Sequence, residues 1–181
     1  MGAQTCRCRH RHDAQGTRER GQLFSTPHRK PRALDENEIE ELDRIISLAV
    51  RLRGAVGRDR IKRELEYVHG AEGTGRMGLC LNQLLAGLDS LDVDRTIAFG
   101  IIKSIAMDSV PPLRRKAYEL LIADKDAFGY AKLTTSEVAG ALDLPTNTVR
   151  RALEELAVYG LAKRIKGGGN KGDSWRAQDD P

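Results

Sequence analysis

Residues 133–177 read LTTSEVAGALDLPTNTVRRALEELAVYGLAKRIKGGGNKGDSWRA, and in that order they signal strand, helix, turn, helix, strand, glycine-rich loop and strand. Thr134 and Glu137 have the S/T-x-x-E spacing of a capping box, in which hydroxyl and carboxylate each satisfy a backbone N–H that a helix start leaves unpaired. The helix they open has Val138, Ala141 and Leu142 on its apolar side. Asp143, Leu144 and Pro145 make the turn, and Thr146 is the expected cap of a second helix over residues 146–159. Advancing about 100° per residue brings Val149, Leu153 and Leu156 onto one narrow face, the core side. Asn147 and Arg151 fall opposite, at roughly 160° and 200° from Val149, with Thr148 and Arg150 on the flanks. Gly160 stops the helix, residues 161–165 run towards a strand, and Ser174–Ala177 returns with Trp175 available to pack.

The polar side of the second helix has the chemistry of a nucleic-acid reader. Arginine pairs with guanine and asparagine with adenine, while the hydroxyls of Thr146 and Thr148 suit phosphate oxygens. From Gly160 to Arg176 the cations Lys163, Arg164, Lys166, Lys171 and Arg176 face a single acid, Asp173, and a glycine-rich basic tip can approach phosphates closely. The candidate DNA-contacting residues are therefore Thr146, Asn147, Thr148, Arg150, Arg151, Lys163, Arg164, Lys166, Lys171 and Arg176. Glu154 and Glu155 lie one turn further along, where they face the phosphate backbone less closely or repel it.

The run LPTNTVRRALEELAVYGLAKRI resembles the turn, recognition helix and first wing strand of the bacterial winged helix-turn-helix superfamily, within residues 112–177. The resemblance implies a second helix that enters the major groove and a hairpin wing beside it. Winged helices also serve as protein-interaction modules, so the polar helix face and basic wing carry the functional expectation beyond the fold.

Upstream, Asp35 and Glu38 form another capping-box start. Apolar residues recur at Ile39, Leu42, Ile45, Ile46, Ala49, Leu52 and Val56, predicting a long helix that ends near Gly54 or Gly57. The spacing of Ile61, Leu65 and Val68 predicts a second helical segment ending at Gly70, with Arg60, Lys62, Arg63, Glu64 and Glu66 on its solvated face. A third helix runs through Met77, Leu81, Leu84, Leu85 and Leu88. Asp92 is the expected cap of a fourth, with Ile97, Ile101, Ile102, Ile105 and Ala106 inside, and Pro112 opens a fifth through Leu113, Ala117, Leu120 and Leu121.

Two nucleotide motifs fail on inspection. Gly73, Gly75 and Gly78 spell G-x-G-x-x-G, but a dinucleotide fingerprint follows a strand, and the residues before it have helical spacing. As a phosphate loop, Gly73 and Gly78 are correctly spaced, yet Leu79 and Cys80 stand where Lys and Ser or Thr are needed. The pattern GTGRMGLCLNQLLAGL, followed by IAFGIIKSIAMDSVPPLRRKAYELL, resembles the helical lid region of AAA-type ATPases over residues 35–111. That resemblance implies a nucleotide-sensing role for Arg76 and an accessory or lid-like fragment as the alternative function, its winged helix mediating protein or DNA contacts.

Composition bounds the rest. Aromatics make up 4% of 181 residues, so the core must be Leu, Ile, Val and Ala, which suits packed helices. The expected fold class is mainly α: a helical N-terminal region over residues 35–111, then a winged helix-turn-helix with a small β-hairpin wing over 112–177, between a disordered basic tail (1–34) and a short C-terminal tail (178–181). The tail holds 8 basic against 2 acidic residues, residues 35–111 hold 10 against 14, and residues 112–181 hold 12 against 10. Basicity thus sits largely in the tail, and net charge alone says little about DNA.

Cys6, Cys8, His10 and His12 alternate, but in an extended chain such residues lie about 6.8 Å apart, too far to share a zinc ion held at roughly 2.0–2.3 Å. A solvated basic arm, or an upstream extension with no role, accounts better for them, and no metal or other cofactor is expected. Three cysteines and no apolar leader or membrane-length run point to a cytoplasmic protein. Three of the four histidines lie in the tail and no catalytic triad or carboxylate pair can be placed, so no enzyme is expected. The expected partner is double-stranded DNA, with a homodimer and an ATPase partner as further candidates and no membrane.

Overall fold

A helix of 18 residues, α1 (Glu36–Arg53), begins the described architecture. Asp35 accepts the Glu38 N–H at 2.9 Å and the Glu38 carboxylate accepts the Asp35 N–H at 3.1 Å, so the predicted capping box is formed. Acidic residues occupy the first turn and basic residues the last, as the helix dipole favours. The structure, a computed structural model, describes residues 30–59, 65–68, 73–123, 125–126, 129–130, 132–167 and 172–178, with backbone alone at 67–68, 125–126 and 129–130. The cysteines and histidines at 6–12, the basic run 60–64 and the wing tip 168–171 lie outside these residues.

After α1 the chain forms an antiparallel hairpin, β1 (Val56–Arg58) with β2 (Leu65–Val68), pairing Val56 with Val68 and Arg58 with Leu65. This corrects the helix expected over Ile61–Gly70 and takes Val56 out of α1. A short helix needs an apolar face to bury. Leu65, the one residue of the expected apolar face whose side chain is described, is exposed, whereas pairing satisfies backbone groups of both strands. Four helices, not five, precede Leu133 among the described residues: α1, α2 (Thr74–Ser90), α3 (Arg95–Asp108) and α4 (Pro112–Ala123).

The start of α3 also differs from expectation. Asp92 adopts a left-handed conformation (φ 59°) and closes α2: its N–H donates to the Asp89 carbonyl at 2.9 Å, and the Val93 N–H to Leu88 at 3.1 Å. Asp94 is the cap instead, accepting the N–H groups of Thr96 and Ile97. The buried side of α3 is Ala98, Phe99, Ile102 and Ala106, while Ile97 (60%) and Ile105 (45%) are exposed, the reverse of the expectation for those two. Both rows have helical spacing, and the one with two alanines lets α3 approach its neighbours more closely.

Two apolar cores result. The first joins Leu42, Ile46, Ala49 and Val50 of α1 to Leu81 and Leu85 of α2 and the buried side of α3. Leu34 packs against it, Arg32 donates its N–H to Asp89 at 3.2 Å, and the Arg32 carbonyl accepts from Arg95 at 3.1 Å, so this part of the expected tail is tied down. The second core gathers Leu52 of α1, Val110, Ala117 and Leu121 with the residues of the C-terminal quarter. A short hairpin, β3 (Lys125–Asp126) with β4 (Gly129–Tyr130), leads from α4 into that quarter. There α5 (Thr135–Leu142) and α6 (Thr146–Val158) pack on a sheet of β5 (Leu133–Thr134), β6 (Ala162–Ile165) and β7 (Ser174–Ala177), in the order β5-β7-β6. The architecture is mainly helical with a small C-terminal antiparallel sheet, as composition and patterning imply.

Candidate nucleic-acid interface

The helix-turn-helix is assembled from local signals. Thr134 Oγ1 accepts the Glu137 N–H at 3.2 Å and donates to Glu137 Oε2 at 2.8 Å, and the Thr134 N–H donates to the same oxygen at 2.6 Å. These donors, the backbone N–H foremost, hold the Glu137 carboxyl below the ordinary carboxylate range. At the end of α5, Asp143 turns left-handed (φ 52°), and the N–H groups of Asp143 and Leu144 close back on Gly140 and Ala139.

Pro145, not Thr146, is the cap position of α6, and no side chain caps that end. The fixed φ of proline starts the helix one residue early, and its carbonyl accepts from Thr148 at 2.9 Å and Val149 at 3.1 Å. Val149, Leu153 and Leu156 are buried as expected, joined by Ala152. Thr146, Asn147, Thr148 and Arg150 are exposed together on the first turns, and Arg151 is partly buried. Gly160 (φ 71°) ends α6, with the Leu161 N–H reaching the Leu156 carbonyl at 2.9 Å.

In the wing, β6 and β7 pair Lys163 with Arg176 and Arg164 with Trp175. Lys163, Arg164 and Lys166 are exposed and Arg176 is partly buried, while Lys171 is outside the described residues. Arg164 is already engaged: its Nε donates to Asp173 at 2.8 Å and its guanidinium lies 5.6 Å from the Trp175 ring centre. Asp173 also accepts the Gly167 N–H at 3.3 Å, closing the base of the wing, and the Arg164 hydrogen bond is the main cause of its lowered pKa.

Glu154 and Glu155 are not bare carboxylates facing DNA. Arg58 of β1 reaches across and donates to Glu154 at 3.1 Å, to Glu155 at 3.3 Å and to the Arg151 carbonyl at 3.0 Å. Arg114 of α4 donates to the other Glu155 oxygen at 2.7 Å and to the carbonyls of Leu52 and Gly54. Beside them the Tyr159 ring lies on Gly54, and its hydroxyl donates to the Ala55 carbonyl at 2.7 Å. Burial holds the Tyr159 pKa above its usual value, with Glu155 adding to the rise and Arg114 opposing it. Sequence reasoning missed Arg58, Arg114 and Tyr159. The one local hint was two adjacent carboxylates on a helix that otherwise has the pattern of a DNA reader.

Two helices joined by a left-handed turn, a second helix polar along its outer first turns and a basic hairpin following it define a winged helix-turn-helix segment. Residues 130–173 match the family model of the DeoR-like helix-turn-helix domain, which makes this part of the chain a helix-turn-helix DNA-binding segment. The match does not extend to residues 35–111, the stretch that resembles an ATPase lid, where Arg76 is exposed in the first turn of α2. No curated protein and no solved structure matches the chain.

Proposed function

We propose that the protein is a cytoplasmic, non-enzymatic transcriptional regulator or DNA-targeting module, in which α6 reads the major groove and the wing grips the flanking phosphates. In this reading Asn147, Arg150 and Arg151 contact base edges, and Thr146 and Thr148 the adjacent phosphates. Lys163, Lys166, Lys171 and Arg176 supply the wing's charge, with Arg164 setting the wing's base through Asp173. Residues 112–177 form the reader and residues 35–111 the helical region that supports it. The observation that carries the proposal is the shared exposure of Thr146, Asn147, Thr148 and Arg150 at the uncapped start of α6, inside the matched segment.

The test is selection of bound sequences from random duplex DNA by the purified chain, with the mass of the complex measured. Enrichment of a defined duplex sequence is the expected product, and a palindromic site held by two copies would show the reader and a dimer together. Asn147→Ala relaxes the preference at one position, each lost specific pair costing about 1–3 kcal/mol. Lys166→Ala weakens all sequences alike and lowers the slope of log affinity against log salt by about 0.9. No enrichment, together with affinities unchanged by either substitution, would refute the assignment.

A further inference from the structure

Of the four charged side chains on α6, Arg150 and Arg151 favour DNA, while Glu154 and Glu155 oppose it. Arg150 also lies four residues before Glu154, with Nε 3.7 Å from Oε1, a spacing at which helix ion pairs form. An Arg150 drawn fully into that pair would be lost to a groove. The carboxylates are held from elsewhere: Glu154 makes its closer contact with Arg58, and Glu155 lies between Arg58 and Arg114. The side chains of Arg58, Arg114, Glu154 and Glu155 are about four-fifths or more buried, so the charges are little screened by water. Arg150 is 55% exposed.

We propose that Arg58 is a positioning residue for DNA binding. By neutralising Glu154 and Glu155 it loosens the hold of Glu154 on Arg150, which stays at 3.7 Å against 3.1 Å for Arg58, and cancels negative charge on the reading helix. The inference rests on α6 being the DNA-reading element. Arg58 itself touches no DNA in this arrangement: its guanidinium is spent on the two carboxylates and the Arg151 carbonyl. Sequence distance hides the relation, since Arg58 and Glu155 are 97 residues apart.

The full-length chain and its Arg58→Ala, Arg58→Lys, Glu154→Gln/Glu155→Gln and Arg58→Ala/Glu154→Gln/Glu155→Gln variants are titrated with a labelled duplex carrying the enriched sequence, at several salt concentrations. Melting curves are recorded alongside. Arg58→Ala is expected to weaken binding roughly tenfold at low salt, with the deficit shrinking as salt rises. Arg58→Lys, which keeps the charge but lacks the fork that reaches both carboxylates and the Arg151 carbonyl, recovers only part of that roughly tenfold loss, and the triple variant recovers to within about threefold. The triple variant is compared with Glu154→Gln/Glu155→Gln carrying Arg58, because removing two negative charges raises DNA affinity by itself: on the proposal Arg58→Ala costs nothing further in that background, whereas a phosphate contact made by Arg58 would be lost there as in the unaltered chain. An unchanged affinity in Arg58→Ala, or a loss on adding Arg58→Ala to the two glutamines as large as in the unaltered chain, overturns the proposal while leaving the DNA reading intact. Failure of the unaltered chain to bind any duplex overturns both.

Discussion

Gly54→Ala probes the joint between α1 and α6. A Cβ at Gly54 would sit 2.1 Å from Tyr159 Cζ and 2.5 Å from each adjoining ring carbon, against an ordinary carbon contact of about 3.5–4.0 Å. The backbone is not the obstacle, because φ is −47° and alanine accepts it. The ring must therefore retreat by more than 1 Å, breaking the 2.7 Å hydrogen bond from its hydroxyl to Ala55. Overpacking costs about 1–3 kcal/mol and the hydrogen bond about 0.5–1.5 kcal/mol, while the loss of glycine's freedom in the unfolded chain returns about 0.4–1 kcal/mol. The net expectation is destabilisation of about 1–3 kcal/mol by urea denaturation followed by far-ultraviolet circular dichroism. In a Tyr159→Ala background the clash and the hydrogen bond are both gone, so the same substitution should stabilise by the last term alone. The change of sign is the decisive readout. If Gly54→Ala costs the same in both backgrounds, the contact between ring and glycine is not what makes this position intolerant.

Trp175, the one tryptophan of the chain, is fully buried on the central strand β7, and its Nε1 donates to Thr135 Oγ1 at 2.9 Å. Trp175→Ala should cost about 3–5 kcal/mol, measured by circular dichroism because the variant has no tryptophan fluorescence, whereas Trp175→Phe should cost much less. The Glu137 carboxyl is held low in the folded state, so its contribution is fully present above the unfolded carboxylate pKa and is lost as pH falls through the lower folded value. Glu137→Gln should accordingly flatten the acid side of the stability curve, and carbon-detected NMR should find the Glu137 carboxyl titrating below the ordinary glutamate range.

What could be read from sequence was local. Thr134 and Glu137 meet because three residues of helix bring them together, and Val149, Leu153 and Leu156 share a face because the helix repeat requires it. The order of elements from Leu133 to Ala177 followed from such signals. Where two local solutions competed, sequence could not choose. Asp92 and Asp94 are both good cap residues, and the left-handed closure of α2 at Asp92 left the cap to Asp94. Ile97, Ile101 and Ile105 form as good a stripe as Ala98, Ile102 and Ala106, and only close packing against α1 and α2 selects the second. Contacts that span the chain were illegible altogether: nothing near Arg58 marks it as a partner of Glu154, or Gly54 as the floor under Tyr159.

Those long-range contacts bear on what the matched segment can do alone. Residues 130–173 contain α5, α6 and β6, but Trp175 and Ala177 of the central strand, Ala117 and Leu121 of α4, and Leu52 of α1 complete the core on which α6 rests. The same is true of charge. Both carboxylates of α6 are satisfied mainly by cations outside the match, Arg58 on one side and Arg114 on the other. Arg114 also accounts for carbonyls at the end of α1, where four such groups lack partners within the helix. One guanidinium thus ties the end of α1 to α6. A shift of the α1 terminus towards α6 would press Gly54 into the Tyr159 ring, and one away from it would stretch the hydrogen bonds that Arg114 makes to Leu52, Gly54 and Glu155. The orientation and charge of α6 are therefore set as much by the helical region before it as by the helix-turn-helix itself.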